Sequence, residues 1–361
     1  SFETPLQWVS IAKKVAWSAV FRKLFIIGNE AFKEQLETFH LAAHLILSEA
    51  SDYWVGAMRN AMANQSAYRR GMALQGAFAG IPAVIIGAGP SLQKNGHLLK
   101  AFEKKALLFA GGSALNTIDV EPHFGASVDA NAPYRQFKMH PFSEVPFCYQ
   151  ARMSRENFSL LHGEKILFPD SSSEAINWIH GEDLFDGGWT VGNFLTAIAL
   201  HMGCHPIVFV GMDLCYQQGR KYAKIETDLP EGLIEARGAL TQKDWLMSAK
   251  WTEERAYGRS FINATEGGIL ELPKEKLENV LERFSCERDL RVIVHEAIQQ
   301  LPLLHCARPD TVNFETLLCP LWDIWRPIFE REVDLDPTQK IELHRNAFFQ
   351  RVIEEYESFV L

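Results

Sequence analysis

No Cys-x-x-Cys pair occurs anywhere in the chain. Its six cysteines are scattered at 148, 204, 215, 286, 306 and 319, which is how reduced cytoplasmic thiols are distributed, not a disulfide framework. No apolar run approaches the length that a membrane-spanning helix needs. Basic residues are in deficit: 36 Lys and Arg stand against 45 Asp and Glu, a net charge of −9. That balance argues against sequence-independent nucleic-acid binding, which rests on neutralising phosphates. Neither His-Glu-x-x-His nor Gly-x-Ser-x-Gly appears, so two common hydrolytic motifs are missing. No repeat and no signal-peptide pattern is visible, and an opening Ser1 in place of Met is what a trimmed or partial sequence would show.

What is present is ordinary globular composition, 47% hydrophobic and 22% charged over 361 residues, enough for a large core with helical additions. The most informative stretch is Ile81 to Leu92. A short β-branched apolar run reads as a buried parallel strand and stops at Gly87. Gly87 and Gly89 let the backbone turn tightly, and Pro90 suits the first turn of a helix. Strand, glycine turn and helix N-terminus together make a site for an anion such as phosphate. The same residues also fit a plain strand–helix connection. The turn matches neither common nucleotide fingerprint. Leu92 stands where the dinucleotide pattern needs its third glycine, and Lys94 is not in a Gly-Lys-Ser/Thr setting.

Three segments follow from the pattern. Residues 1–79 read as an N-terminal helical region, with Tyr68, Arg69 and Arg70 on a solvated helix face. Residues 80–270 alternate strands and helices, the mark of an α/β fold with a Rossmann-like, mostly parallel sheet and helices on both faces. Residues 271–361 return to helix. Further strands are expected at 106–110, 125–129, 145–149, 165–168 and 205–213, with Phe261-Ile262-Asn263 closing the α/β portion. Ligands of open α/β sheets bind outside the carboxyl ends of strands. Gly87, Gly111 and Asp129 would line one crevice if their strands are neighbours; Asp129 is equally a turn or cap residue. Thr190 has the chemistry to cap a helix that runs to His201 and stops at Gly203. That stop also breaks the spacing of His201 and His205, so a metal site with Cys204 is not expected. The polar segment after Tyr216 reads as an active-site flap or as plain surface. Asp244 to Tyr257 reads as a helix, with Trp245 and Trp251 packing.

Gly87-Ala88-Gly89-Pro90-Ser91-Leu92 resembles the G-x-G-P-S-L signature of three related groups. These are the bacterial CMP-sialic-acid-dependent sialyltransferases, the motility-accessory-factor (Maf) flagellin glycosyltransferases and the archaeal MptE-like 6-hydroxymethylpterin diphosphokinases. Thr190-Val191, the helix ending Ala197-Ile198-Ala199-Leu200, and Val210-Gly211-Met212-Asp213-Leu214 extend the likeness. So do Tyr216 and Tyr222, spaced like two phosphate-binding tyrosines of the sialyltransferases. The likeness covers about residues 80 to 270, and the helical flanks are coarsely Maf-like.

The resemblance implies nucleotide binding by Gly87, Gly89, Pro90, Ser91, Asn116, Gly188, Thr190, Tyr216 and Tyr222. It implies a CMP-activated sugar as donor and a protein or glycan hydroxyl as acceptor. The sialyltransferase histidine that serves as base is missing, since no histidine lies between His205 and His295. Glu226, Asp228 and Asp244 are the acids that could replace it. In the diphosphokinase alternative, ATP donates pyrophosphate, Mg²⁺ neutralises the phosphates, and Asp129 and Asp213 are its first candidate ligands. A third alternative is a non-catalytic nucleotide- or sugar-binding module.

Overall fold

The computed structural model describes residues 56–64, 66–130, 144–170, 176–177, 185–217, 219–223, 229, 232–284, 288–305, 321, 323 and 351–354. The chain divides into two compact units, one of Asn60–Ala307 and one of Ser1–Arg59 with Arg308–Leu361. In the second of these, residues 56–59 and 351–354 are helical, and Met58 and Val352 are buried. The expected helical stripes of residues 8–43 lie outside the described residues.

The Asn60–Ala307 unit is built on a nine-stranded sheet. In chain order its strands are β1 (Tyr68–Arg70), β2 (Ala83–Ile86), β3 (Leu107–Gly111), β4 (Phe124–Ser127), β5 (Phe147–Tyr149), β6 (Lys165–Leu167), β7 (Ile207–Val210), β10 (Phe261–Asn263) and β11 (Leu303–Leu304). Strands β8 (Ile234–Ala236) and β9 (Ala239–Thr241) form a separate hairpin. The spatial order is β10-β7-β2-β3-β4-β5-β6-β1-β11. Every pairing is parallel except that of β1 with β11. Strands β2, β3, β4 and β7 are fully buried, which explains why they read as unbroken apolar runs instead of alternating ones.

The chain leaves β2 in one direction, through β3 to β6, and returns to β7 on the other side. The crossover after β2 is a single α-turn, α1 (Leu92–Asn95), continued by a 3₁₀ segment Gly96–Phe102. The crossover before β7 is α3 (Val191–His201), which packs on β2, β3 and β4. Right-handed crossovers that travel in opposite directions lie on opposite faces. The switch point therefore falls between β2 and β7, where ligands of such sheets bind.

One expected element is corrected. Tyr68–Arg70 is not a helix face but strand β1, between β6 and β11. Arg69 is buried there, with its guanidinium on Glu164 at 3.2 Å and on Gln299. The α2 turn (Arg155–Phe158), α4 (Lys243–Arg255), α5 (Leu277–Arg283) and α6 (Leu290–Gln299) complete the unit. Among the described residues no helix is long and apolar enough to cross a membrane.

Candidate functional site

The glycine turn is shaped first by its neighbour strand. The Gly87 N–H donates to the Val210 carbonyl at 2.8 Å, and the Gly89 N–H to the Gly211 carbonyl at 2.9 Å. A Cβ on Gly87 would sit 2.3 Å from the Gly211 oxygen, and one on Gly89 would sit 1.9 Å from a carboxylate oxygen of Asp213. The glycines thus permit two strand exits to touch. Ser91 is fully buried, and its hydroxyl donates to Asp213 Oδ2 at 2.7 Å. Its N–H points to the same oxygen. Since α1 has only four residues, its dipole adds little, contrary to the expectation of a full helix N-terminus here.

Asp213 is 1% exposed. Its second oxygen accepts from the Gln217 amide, and burial pushes its pKa up to about 6 against the pull of its hydrogen bonds with Ser91. This carboxylate joins the glycine turn to the exit of β7. It does not share an ion with Asp129. Asp129 is exposed beyond β4, three strand intervals from β7, or roughly 14 Å at the usual spacing. The metal pair expected for a diphosphokinase is therefore not assembled by these two residues. Among the described residues no cluster of three His, Cys, Asp or Glu is placed for a metal.

The second glycine turn opens a true helix. Gly188 takes φ +69°, and a Cβ there would meet Asn193 at 2.4 Å. Thr190 caps α3 by accepting from the Asn193 N–H, and its hydroxyl lies 2.9 Å from that of Ser248. Asn193 is fully buried. Its amide donates to the Ser248 carbonyl and the Thr252 hydroxyl, and it accepts from the Trp189 N–H. It bolts α3 to α4. Val191 packs on Gly111 at the end of β3, and Gly192 on Met212 after β7. The first N–H groups of this eleven-residue helix have no intrahelical acceptor, and they lie at the switch point. Asn116 ends the 3₁₀ segment Gly112–Asn116 directly after β3, on the same edge of the sheet.

The tyrosine segment closes on the first turn. The Ala223 N–H donates to the Ala88 carbonyl at 2.9 Å, and the Gln93 amide reaches the Ala223 carbonyl. Residues 216–223 are therefore anchored to the loop that contains Gly87, Gly89 and Pro90. The Tyr216 ring packs on Trp245 in a tilted arrangement, with centroids 5.3 Å apart. Tyr222 and Asp244 both lie close enough to raise the Tyr216 phenol, after burial. Asp244 stands in the first turn of α4, half-buried, and burial raises its pKa above the usual carboxylate range. Glu226 and Asp228 lie outside the described residues. Thus the structure brings Gly87, Gly89, Pro90, Thr190, Tyr216, Tyr222 and Asp244 to the carboxyl edge of the sheet. Ser91 and Asp213 it turns inward, toward each other. Asn193, Trp245 and Lys221 were not read as site residues; the Asn one turn into a capped helix was the available signal for the first.

Residues 58–219 match the family model described as 6-hydroxymethylpterin diphosphokinase MptE-like. No curated protein sequence matches the chain. Among solved structures, the chain is similar to the Maf glycosyltransferase of Magnetospirillum magneticum AMB-1, with a TM-score of 0.60 and 15% sequence identity. That match covers 97% of this chain and 63% of the solved one. At this identity the likeness is one of fold, and it confirms the α/β architecture. Through residues 58–219 the chain resembles the MptE-like family, and in fold it is similar to a Maf glycosyltransferase.

Proposed function

We propose that the chain is a Maf-like glycosyltransferase that moves a sugar, of the nonulosonate class, from a CMP-activated donor to a protein or glycan hydroxyl. The observation that carries this reading is the anchoring of the Tyr216–Ala223 segment on the glycine turn by the Ala223 to Ala88 hydrogen bond. It holds the segment that carries Tyr216 and Tyr222 beside the glycine turn, at the carboxyl edge of the sheet. In such a transfer the bond between the sugar carbon and the leaving phosphate oxygen breaks, and the acceptor oxygen bonds to that carbon. Charge grows on the phosphate. The N–H groups at the start of α3 and the hydroxyls of Tyr216 and Tyr222 are donors suited to receive it. The acceptor proton goes to Asp244, whose carboxylate burial makes more basic than usual, the direction a general base needs. This assignment replaces the missing histidine with an acid on α4.

The name of the matching family model favours a second reading, pyrophosphoryl transfer from ATP. In that case Mg²⁺ would supply charge neutralisation on the phosphates, held by ligands other than the Asp129 and Asp213 pair.

Calorimetric titration with CMP, CTP and ATP, with and without Mg²⁺, separates the two. Cytidine nucleotides are expected to bind at least tenfold more tightly than ATP, a difference of about 1.4 kcal/mol. Preferential, Mg²⁺-dependent ATP binding would assign the diphosphokinase reaction instead. Cytidine-nucleotide binding without sugar transfer would mark a binding module.

A further inference from the structure

Guanidinium groups of this acidic chain are commonly claimed by carboxylates: Arg152 by Asp170, Arg237 by Glu253, Arg291 by Glu103. Lys221 is held differently. Its ammonium lies 5.1 Å from the centroid of the Trp245 ring and 5.3 Å from that of Tyr222. Asp244 feels its charge, yet among the described residues no carboxylate is within ion-pair distance of it. Attraction to an aromatic face positions an ammonium without neutralising it. The positive charge is left for another partner.

Trp245 has a second neighbour with an unmet need. Tyr216 packs against it at a tilt, is 6% exposed, and buries a hydroxyl that has no hydrogen-bond partner among the described residues. A buried polar atom in that state is costly and calls for an explanation. A cation without a counter-ion and a buried donor without an acceptor thus share one indole.

We infer that Lys221, held on the Trp245 and Tyr222 rings, supplies the charge of an anion subsite that takes an oxyanion group of the ligand, either phosphate or sugar carboxylate. This deepens the nucleotide-sugar reading above and rests on it for the identity of the ligand. Lysine acts here as a point charge, tolerant of either oxyanion, whereas a guanidinium fork would favour one planar geometry.

The test uses Lys221→Gln, which removes the charge at similar length, and Lys221→Arg, which keeps it. Wild type and both variants are titrated calorimetrically with CMP, cytidine, CMP-N-acetylneuraminate, ATP with Mg²⁺, and adenosine. Lys221→Gln is expected to weaken the anionic ligand by about tenfold or more, to leave the nucleoside unchanged, and to be largely rescued in Lys221→Arg. A loss already present with CMP identifies phosphate as the anion; a loss confined to CMP-N-acetylneuraminate identifies the carboxylate. Equal affinities in wild type and Lys221→Gln for every ligand would overturn the inference. So would equal losses that include the nucleoside, because they report distortion. Should wild type prefer ATP, the CMP-donor reading fails, while a loss for ATP but not adenosine in Lys221→Gln still supports the subsite. A wild type that binds neither nucleotide overturns both.

Discussion

A single phenol shows how stability and function can be set against each other. The Tyr216 hydroxyl is buried without a partner among the described residues, although its ring packs on Trp245. Tyr216→Phe keeps the ring and deletes only the unsatisfied group. The melting temperature should therefore stay level or rise. Affinity for CMP should move the other way, falling roughly 10- to 150-fold if the hydroxyl donates to a charged phosphate, with cytidine unaffected. Tyr222→Phe, at a half-buried residue, should show the same selective loss without the thermal gain. A lower melting temperature in Tyr216→Phe would show that the hydroxyl is already satisfied, and the phosphate argument would go with it. Gly89 offers no such clean probe. A branched side chain there would collide with Asp213 and the Gly211 carbonyl, so Gly89→Val perturbs packing and ligand approach together.

At the scale of elements, α3 depends on a polar latch as much as on its apolar face. Asn193 ties Trp189, Ser248 and Thr252 together while Thr190 caps it. Asn193→Ala should cost about 3 kcal/mol in urea denaturation, because it strands several buried groups at once. Thr190→Ala should cost about 1 kcal/mol. The two share partners, so the double variant should lose less than the sum; strict additivity would mean the latch is not one network. The limits of α3 were legible because Thr190 and Gly203 state them chemically, and Gly203 indeed takes φ +81°. That β2, β3 and β4 are strands was legible too, since Gly87, Gly111 and Asp129 punctuate their ends. Strand β1 was not. Only three residues long, it carries an arginine inward, and the Glu164 that compensates it lies 95 residues away. The β8–β9 hairpin was hidden too. Its two-residue turn is Arg237-Gly238, both with positive φ, where Asn-Gly is the recognisable form. Asp213 was visible as the acid after a strand, but sequence could not say that it would spend both oxygens on Ser91 and Gln217.

For the whole molecule, two buried groups act on stability in opposite directions over the same pH range. Asp213 titrates at about 6 in the fold against 3.8 for its ordinary value. Between those values the native state holds a proton that the unfolded chain has released. Stability from this group is therefore greatest in acid, falls as pH rises through that window, and is lower by ~3 kcal/mol above it. His123 is the reverse. It is buried with Nδ1 accepting from the Leu108 N–H, and burial, with help from the Arg291 charge, lowers its pKa from 6.5 to about 4. There the unfolded chain binds the extra proton, so stability rises with pH by a similar ~3 kcal/mol. In the intact protein the two slopes oppose each other between pH 4.5 and 6. Asp213→Asn removes one slope and can still accept from Ser91. The difference in unfolding free energy, variant minus wild type, should then climb by about 1.4 kcal/mol per pH unit from pH 4.5 to 6 and level off above. Denaturant melts at half-unit steps of pH read this difference directly, and every other titrating group drops out of it. A flat difference would mean that Asp213 is ionised throughout the range. In that case the carboxylate holds the glycine turn and the β7 exit together as a charge, and the turn's geometry depends on that charge rather than on a shared proton.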